Sequence, residues 1–460
     1  MKPGHKILAL VMFFATVCLG FAGWNERARE YASTYSTPYK DGFLSSLAAT
    51  CNLKRVPYKK MVVNIEKWEV FSPEMEKGKL KVDVGLQRDA EGKVLRAPLA
   101  IYIPGSFVNL NDKQSNRWLN SLTRLGYHTV VFPNPFGTDF IKQVPISKFG
   151  TVTEEAKTVY GMIRRAFGLL RQMGALDGSV RIIGVSSGGF FTAAVAALDA
   201  EHKNPIITTD ATILAPGFHL GRGMDRLDEY VEEQREPYQE MWLLRMYVKL
   251  RKICRMKDPS NPSEKVLRDS RGIVTFAGFY EELVNSVKRY DKTRSLNKVP
   301  KKGKALGQWR DRFAFSVYYD EFNPEGEKII RGEHGHLYYW LGRAYKAGFP
   351  SIRVLTTTDD FFNDPGVWGD MKSNPLMDDA LGVYGLMNDE KMWSRIQKDL
   401  IVLNHGGHYG FRSNPWFENF IRIAFGNNRP EVSRKETFKN LYLELEMLPF
   451  ERDSLFRPLR

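Results

Sequence analysis

The chain has 460 residues, of which 43% are hydrophobic and 13% aromatic, so it is long and apolar enough to bury an extensive core. No internal repeat or low-complexity tract stands out in it, which argues against a repeat architecture. The net charge of +14 favours polyanionic neighbours such as a membrane surface or cell-wall polymers. Because no recognised nucleic-acid-binding motif accompanies this charge, we expect no nucleic-acid partner.

The amino terminus predicts export. Basic residues precede an apolar run over residues 7–22, and Gly20-Phe21-Ala22 offers small residues at the positions that a signal peptidase reads. The run is short for a membrane span of about 20 residues, so we favour a cleaved signal peptide over 1–22. A lipidated Cys18 is disfavoured because the bulky Val17 precedes it. The mature chain would be periplasmic or secreted and would begin with an extension over 23–58.

Two cysteines, Cys51 and Cys254, remain after such cleavage. They could form one disulfide in an oxidising compartment. The sequence does not show that the two thiols meet, so Cys254 could equally be a buried thiol on a lid helix.

Short apolar runs separated by helical patterns predict a sheet. An antiparallel pair of half-buried strands comes first, within part of Met61–Phe71 and across Leu80–Leu86. Between later runs, apolar residues over 156–170 recur at three- and four-residue spacings, and Gly174 ends that helix. This alternation is typical of an α/β fold, in which helices cover both faces of a mostly parallel, twisted sheet. The predicted parallel strands are Leu99–Ile103, His128–Phe132, Val180–Ser186, Ala211–Ala215, Ile352–Thr358 and Leu400–Leu403.

The segment Gly184-Val185-Ser186-Ser187-Gly188 lies between a predicted strand and a helical stretch over 189–200. Small residues on both sides allow a sharp turn, which would expose the Ser186 hydroxyl at the carboxyl end of the sheet, with the Ser187 N–H facing the same spot. Ser186 is therefore a candidate nucleophile. The alternative is a glycine-rich turn with a solvated serine.

About 130 residues, from His219 to Pro350, separate two predicted strands, far more than a sheet crossover needs. We predict a helical lid insertion over 219–350 that shapes the substrate pocket and controls the access of water. The candidate helices are Leu227–Glu240, Met241–Lys257 and Val274–Tyr290, and the breaks are Asp258–Pro262 and the basic loop Asn297–Lys304.

One candidate lid helix, over 242–257, sets apolar residues among arginines and lysines. Such a basic amphipathic helix could lie on an anionic membrane surface. It could also pack its apolar face on the domain and leave its charges in water. His334 and His336, also in the lid, have no adjacent set of ligands, so we expect two loop histidines, no metal and no cofactor.

The acid candidates, Asp359 and Asp360, follow the strand Ile352–Thr358. Asp360 is favoured because an apolar anchor follows it directly, a pattern that suits an acid that must reach the far nitrogen of a histidine. Asp359 would then be a surface or capping residue. The next predicted strand begins only at Leu400, so we expect an inserted helical element around 368–398. Three further aspartates in this gap could supply the acid instead, namely Asp364, Asp378 and Asp379.

The glycine-rich loop after Leu400–Leu403 supplies the base candidates, His405 and His408. A histidine in such a loop is well placed to reach the serine of a neighbouring strand. His408 is favoured as the general base that takes the proton of Ser186. His405 lies nearer the strand and has glycine on one side only, so we expect it to be a packed loop residue.

The serine, acid and histidine occur in the chain order of the α/β-hydrolase superfamily, which this chain resembles. Asp359-Asp360 and the loop Gly406-Gly407-His408-Tyr409-Gly410-Phe411 are most similar to bacterial predicted hydrolases related to the membrane-associated α/β-hydrolase-domain esterases. The resemblance covers roughly residues 60–425 and implies an α/β-hydrolase core in two parts, 59–218 and 351–428. The C-terminal extension over 429–460 has no further clear strand and is expected to dock as a helix or an extended arm.

The sequence departs from this family at the expected oxyanion hole. Members commonly carry His-Gly after the third strand, where this chain has Pro104-Gly105-Ser106-Phe107. Since an oxyanion hole needs backbone N–H groups, the N–H of Ser106 or Phe107 could still pair with that of Ser187. The alternative is an ordinary turn. The loop Asn134–Gly137, after the strand His128–Phe132, also resembles the family's loop at this position. The alternative is that it only ends the strand.

The motifs and the resemblance together predict an exported serine hydrolase. Ser186 would attack the carbonyl of a carboxylic or lipid ester, His408 would shuttle the proton and Asp360 would hold the imidazole, before water releases the acyl group. The ester class rests on fold-level analogy and on an aromatic-rich lid that suits an apolar acyl chain. A peptidase, amidase or acyltransferase on the same triad is one alternative. A noncatalytic envelope-binding protein with the same fold is another.

Overall fold

The computed structural model describes residues 24–52, 65–70, 79–110, 112–144, 150–233, 242–256, 258–363, 390–426 and 458–459. Within these ranges nine strands form one sheet: β1 Ile65–Val70, β2 Leu80–Gly85, β3 Ala97–Ile103, β4 His128–Val131, β5 Leu176–Val185, β6 Ala211–Leu214, β7 Ile352–Thr357, β8 Leu400–Leu403 and β9 Pro458–Leu459.

The helices outside the long insertion are α1 Glu26–Ser33, α2 Gly42–Asn52, α3 Lys113–Arg124, α4 Thr138–Gln143, α5 Val152–Gln172 and α6 Ser187–Glu201. Those between β6 and β7 are α7 Leu220–Glu233, α8 Trp242–Ile253, α9 Glu264–Gly272, α10 Glu281–Arg294, α11 Gly303–Arg312, α12 Phe315–Phe322, α13 Pro324–Arg331 and α14 Leu337–Lys346. The last two are α15 Glu390–Asp399 and α16 Pro415–Phe425.

The strand order across the sheet is β8-β7-β6-β5-β3-β4-β2-β1-β9. The six strands from β3 to β8 are parallel, and β1 and β2 form an antiparallel pair at the other side, with β2 antiparallel to β4. The predicted mostly parallel α/β fold is therefore confirmed. The strand predictions hold to within two residues, except that β5 begins at Leu176, four residues before the predicted start.

The parallel strands are buried on both faces, as a sheet covered by helices on two sides requires. Along β3, Leu99, Ile101 and Ile103 belong to one apolar core, while Ala100 and Tyr102 belong to the other. Helices α5, α6 and the helices between β6 and β7 contribute to the first core. Helices α1, α3 and α16 contribute to the second. The sheet is thus held rigidly between two packed layers, and its carboxyl edge is a stable platform.

The insertion between β6 and β7 is helical, as predicted, but its helices differ from the predicted ones. The predicted helix Leu227–Glu240 begins earlier, at Leu220, and its predicted end lies outside the described residues, which include α7 as far as Glu233. The predicted helix Val274–Tyr290 consists of a π-helix over Ile273–Tyr280 followed by α10. Four helices after α10, from α11 to α14, were not expected. Tertiary contacts account for part of this, since the Asp228 carboxylate of α7 accepts the N–H groups of Phe315 and Ser316 where α12 begins.

Two predictions concern the chain termini. The C-terminal extension was expected to dock as a helix or an extended arm without a further clear strand. Its described residues form β9, which is extended and pairs with β1, where Pro458 lies opposite Trp68. The predicted signal peptide over 1–22 lies outside the described residues. In the ranges that are described, no helix combines the length and the apolar character needed to cross a membrane.

Cys254 is in a disulfide. The interpretation of Cys254 as a buried free thiol is therefore wrong. The other two cysteines of the chain are Cys18 and Cys51, and the side chains of both lie outside the described part of the structure. The predicted pairing of Cys51 with Cys254 stays a prediction.

Candidate active site

Ser186 occupies a sharp turn between β5 and α6. Its φ of 56° and ψ of −126° are unusual for a residue with a side chain. Such a conformation costs about 1–3 kcal/mol and persists only where the surroundings hold it. Here the Ser186 N–H donates to the Leu214 carbonyl of β6 at 2.8 Å, which fixes the turn to the sheet.

The glycines of the turn are required by close backbone contacts. A Cβ atom at Gly184 would lie 2.1 Å from the carbonyl oxygen of Gly188. A Cβ atom at Gly188 would lie 2.1 Å from the carbonyl oxygen of Pro104 and 2.3 Å from that of Ile103. The helix α6 can therefore begin directly against the carboxyl end of β3 only because these two positions lack side chains.

The structure brings Ser186, His408 and Asp360 into one hydrogen-bonded chain. The distance from Ser186 Oγ to His408 Nε2 is 2.7 Å, and His408 Nδ1 lies 3.0 Å from both carboxylate oxygens of Asp360. A carboxylate only accepts hydrogen bonds, so Nδ1 carries the proton and Nε2 is free to accept the hydroxyl proton of the serine. Asp360 is 4% exposed, which leaves little competition from water.

Ser186 follows β5, Asp360 follows β7 and His408 follows β8, on a mostly parallel sheet with this strand order. The chain has an α/β-hydrolase fold. Parallel strands bring their carboxyl ends to one edge, so three residues that are far apart in sequence meet there.

Aromatic rings surround the histidine of this α/β-hydrolase core. The rings of Phe361 and Phe362, which directly follow the acid, lie 5.6 and 5.5 Å from the His408 ring, and Phe279 of the π-helix lies 6.3 Å from it. The Phe362 N–H also donates to Asp360 Oδ1 at 3.0 Å. The two phenylalanines that follow Asp360 thus orient the carboxylate through the Phe362 N–H and shield it from water with their rings. The exclusion of water strengthens the electrostatic interaction between the carboxylate and the imidazole.

Asp359 has a different role from Asp360. Its Oδ1 accepts the Gly407 N–H at 2.8 Å, and its Oδ2 lies 3.6 Å from His405 Nδ1. Burial raises the pKa of Asp359, and the hydrogen bond from Gly407 opposes that rise. Asp359 therefore ties the acid loop to the histidine loop, whereas its contacts do not include His408. Asp364, Asp378 and Asp379 lie outside the described residues.

The loop Pro104–Phe107 lies against Ser186. A Cβ atom at Gly105 would be 3.8 Å from Ser186 Oγ. Ser187 is the first residue of α6, so its N–H is one of the helix-terminal donors that attract negative charge. Among the described residues, the N–H groups of Ser106 and Phe107 have no hydrogen-bond partner. The three predicted donors therefore lie on the two segments that flank Ser186, and the choice between Ser106 and Phe107 stays open.

Two residues near the site were not singled out from the sequence for the role they have. The loop that contains Asn134 was said only to resemble the family's loop or to end a strand, but Asn134 is fully buried and donates to Pro104 O at 2.8 Å and to Ser187 Oγ at 3.0 Å. Its polar side chain shortly after an apolar strand was the available signal. Phe279 lies in the π-helix with its ring 6.3 Å from that of His408, and no local sequence pattern predicted this contact.

His334 and His336 lie in the short connection between α13 and α14, as the prediction of two loop histidines requires. No cluster of three or more potential metal ligands occurs in the part of the chain that is described. His336 is buried there, and its Nδ1 accepts the Tyr338 N–H where α14 begins. Burial lowers the pKa of His336 to about 3, so its ring is neutral near pH 7.

No protein-family model and no curated protein sequence matches the chain. Solved structures that resemble it include an esterase from the hyperthermophilic archaeon Pyrobaculum calidifontis, with 15% identity and a TM-score of 0.39, over 88% of this chain and 96% of that one. A putative hydrolase from Legionella pneumophila has 11% identity and a TM-score of 0.42, over 83% and 95% of the two chains. Brefeldin A esterase, a bacterial homologue of human hormone sensitive lipase, has 14% identity and a TM-score of 0.40, over 88% and 92%. At such identities and TM-scores, no activity or residue role transfers from these proteins.

The close approach at Gly188 predicts a large loss of stability on Gly188→Ala. Because the added methyl group would meet two backbone carbonyls, we expect the free energy of unfolding in urea to fall by about 3 kcal/mol or more. Gly307→Ala in α11 is the matched control, since nothing lies within 4 Å of its Cβ position, and it should be neutral or stabilising by about 0.5–1 kcal/mol. Equal unfolding free energies for the two variants would contradict this account of the turn.

Proposed function

We propose that the protein is a serine hydrolase that cleaves carboxylic esters through an acyl-enzyme. The observation that carries the proposal is the hydrogen-bonded chain from Asp360 through His408 to Ser186, with distances of 3.0 and 2.7 Å. The conformation of Ser186 supports it, because a nucleophile on a sharp turn presents its hydroxyl to a substrate at the sheet edge.

In the acylation step, His408 Nε2 removes the proton from Ser186 Oγ while the oxygen attacks the ester carbonyl carbon. The tetrahedral intermediate collapses as the bond to the leaving alcohol breaks, and the imidazolium returns its proton to that oxygen. In deacylation, water loses a proton to Nε2, attacks the acyl carbonyl and releases the acid, and Ser186 regains a proton. Asp360 keeps Nδ1 protonated and stabilises the imidazolium in both steps.

The negative charge on the carbonyl oxygen would be stabilised by backbone donors on both sides of Ser186. We assign the Ser187 N–H as one donor, because it stands at the start of α6. The N–H of Ser106 or Phe107 would be the other. A single donor of this kind typically contributes roughly 10²–10³-fold to turnover.

The aromatic surroundings of the site favour an ester with an apolar acyl or alcohol group. Phe279, Phe361 and Phe362 all lie close to His408, so the space beside the nucleophile is bounded by rings. A peptidase, amidase or acyltransferase would keep the same triad, but no described feature specifically favours those reactions. A noncatalytic role would not account for the hydrogen bond between His408 Nε2 and Ser186 Oγ. The nearer kinship to membrane-associated hydrolases stays a prediction.

The two neighbouring aspartates provide a matched test of the mechanism. Asp360→Asn should lower kcat/KM for a short-chain p-nitrophenyl ester by roughly 10³–10⁴-fold, because the neutral amide no longer fixes the tautomer or the charge of His408. Asp359→Asn should lower it by less than about tenfold, since an amide oxygen can still accept the Gly407 N–H. Losses of the same size in both variants, or none in Asp360→Asn, would refute these roles.

We also propose that the chain is exported. The basic and apolar amino terminus over 1–22 supports this, and so does the disulfide at Cys254, because disulfides persist mainly in oxidising compartments. Fractionation of cells that express the full chain tests it: protein cleaved near residue 22 should appear in the periplasm or the medium. Uncleaved protein confined to the cytoplasm would rule export out.

We propose further that α8 contacts an anionic membrane surface. Met246 and Ile253 are buried, while Val248 is 45% exposed on a surface rich in arginine and lysine. Residues 242–257 include no aspartate or glutamate. Each cation near such a surface contributes about 1 kcal/mol. The exposed cations are Arg245, Arg251, Lys252 and Arg255.

Changing these four cations to glutamine should weaken binding to phosphatidylserine-containing vesicles in co-sedimentation by about a hundredfold or more. The control changes four exposed lysines elsewhere, which removes the same net charge and should have a much smaller effect; these are Lys203, Lys301, Lys302 and Lys304. Equal weakening in both variants would mean that net charge alone, and not α8, attracts the protein to the vesicles.

A further inference from the structure

Asn134 is a buried residue whose side-chain amide makes three hydrogen bonds around the active site. Its Oδ1 accepts the Phe136 N–H at 2.8 Å, which sets the orientation of the amide. Its Nδ2 then faces the opposite way and donates to Pro104 O at 2.8 Å and to Ser187 Oγ at 3.0 Å. One amide group therefore joins the loop after β3 to the first residue of α6.

These two segments are the ones that carry the candidate oxyanion donors. A second bond joins them, because the Ser106 hydroxyl lies 2.8 Å from Ser187 Oγ. The Ser187 hydroxyl oxygen thus receives hydrogen bonds from Asn134 and from Ser106. Neither contact uses a backbone N–H of these segments. The Ser187 N–H and the N–H groups of Ser106 and Phe107 therefore stay available for an oxyanion.

Asn134 is itself held in place from the side of the helical insertion. The hydroxyl of Ser286 in α10 is buried and donates to the Phe136 carbonyl at 2.9 Å. The Gly137 N–H donates to the Asn134 carbonyl at 2.8 Å. The position of the amide is therefore fixed by its own loop and by the insertion, independently of the segments that it joins.

We propose that Asn134 is a positioning residue of the oxyanion hole, which sets the separation between the Ser187 N–H and the N–H donor of the Ser106–Phe107 loop. The inference rests on the proposed esterase function. Donors must lie about 2.7–3.1 Å from the oxyanion, and a displacement of about 1 Å costs on the order of a hundredfold in rate. Because the charge develops only in the transition state, a misplaced hole lowers kcat and leaves KM nearly unchanged.

The test compares Asn134→Ala, Ser187→Ala and the double variant in hydrolysis of a p-nitrophenyl ester. We expect Asn134→Ala to lower kcat about a hundredfold and Ser187→Ala to lower it about tenfold, with KM within about twofold of the wild type in each. The double variant should be no more than about threefold slower than Asn134→Ala, because both substitutions break the same link. Ser187→Ala removes only a hydroxyl and keeps the backbone N–H, so it decides the matter if Asn134→Ala does not fold.

Thr123→Ala is the control for a purely structural effect, since Thr123 is a buried hydroxyl of α3 whose hydrogen bonds go to Leu119 and Thr129 and not to this link. It should lower the melting temperature without lowering kcat. The proposal is overturned if kcat is unchanged in Ser187→Ala and Asn134→Ala, if KM rises instead, or if Thr123→Ala loses kcat equally. A wild type that neither hydrolyses esters nor reacts with a fluorophosphonate would overturn the esterase function, and the positioning role with it. A reactive wild type beside unaffected variants would overturn the positioning role alone.

Discussion

The close packing of the α6 start against the carboxyl end of β3 is the contact on which the site depends. Gly188 lies so near the carbonyls of Ile103 and Pro104 that only a glycine fits there. This contact places Ser186 at the sheet edge in a strained conformation, and it also brings Ser187 beside the loop after β3. The strain is supported by the two apolar cores, which hold the sheet on both faces.

The adjacent aspartates show how one loop can supply two functions. Asp360 turns toward His408, and the ring of Phe362 stacks over the imidazole from the next turn of the same loop. Asp359 turns the other way and holds the histidine loop by the Gly407 N–H. Asp359 therefore fixes the position of the imidazole indirectly, while Asp360 fixes its tautomer.

The sequence predicted the parts of the molecule that depend on local chemistry. The alternation of apolar runs with helical spacing predicted the sheet, and the serine turn, the acid loop and the histidine loop each had a local pattern. The sequence did not predict the π-helix over Ile273–Tyr280, in which Phe279 lies beside His408. It also did not predict the helices α11 to α14, which depend on long-range contacts such as that of Asp228 with the start of α12. The link through Asn134 was missed for the same reason, since its partners lie 30 and 53 positions away.

The central claim is that His408 activates Ser186 as a nucleophile. The most direct measurement is the reaction of the purified protein with a fluorophosphonate, followed by mass spectrometry of the intact protein and of its peptides. The account predicts one phosphonyl group on Ser186 of the wild type and at least a thousandfold slower labelling of His408→Ala, which lacks the base. No adduct on the wild type, an adduct on another serine, or equal labelling of His408→Ala would contradict it.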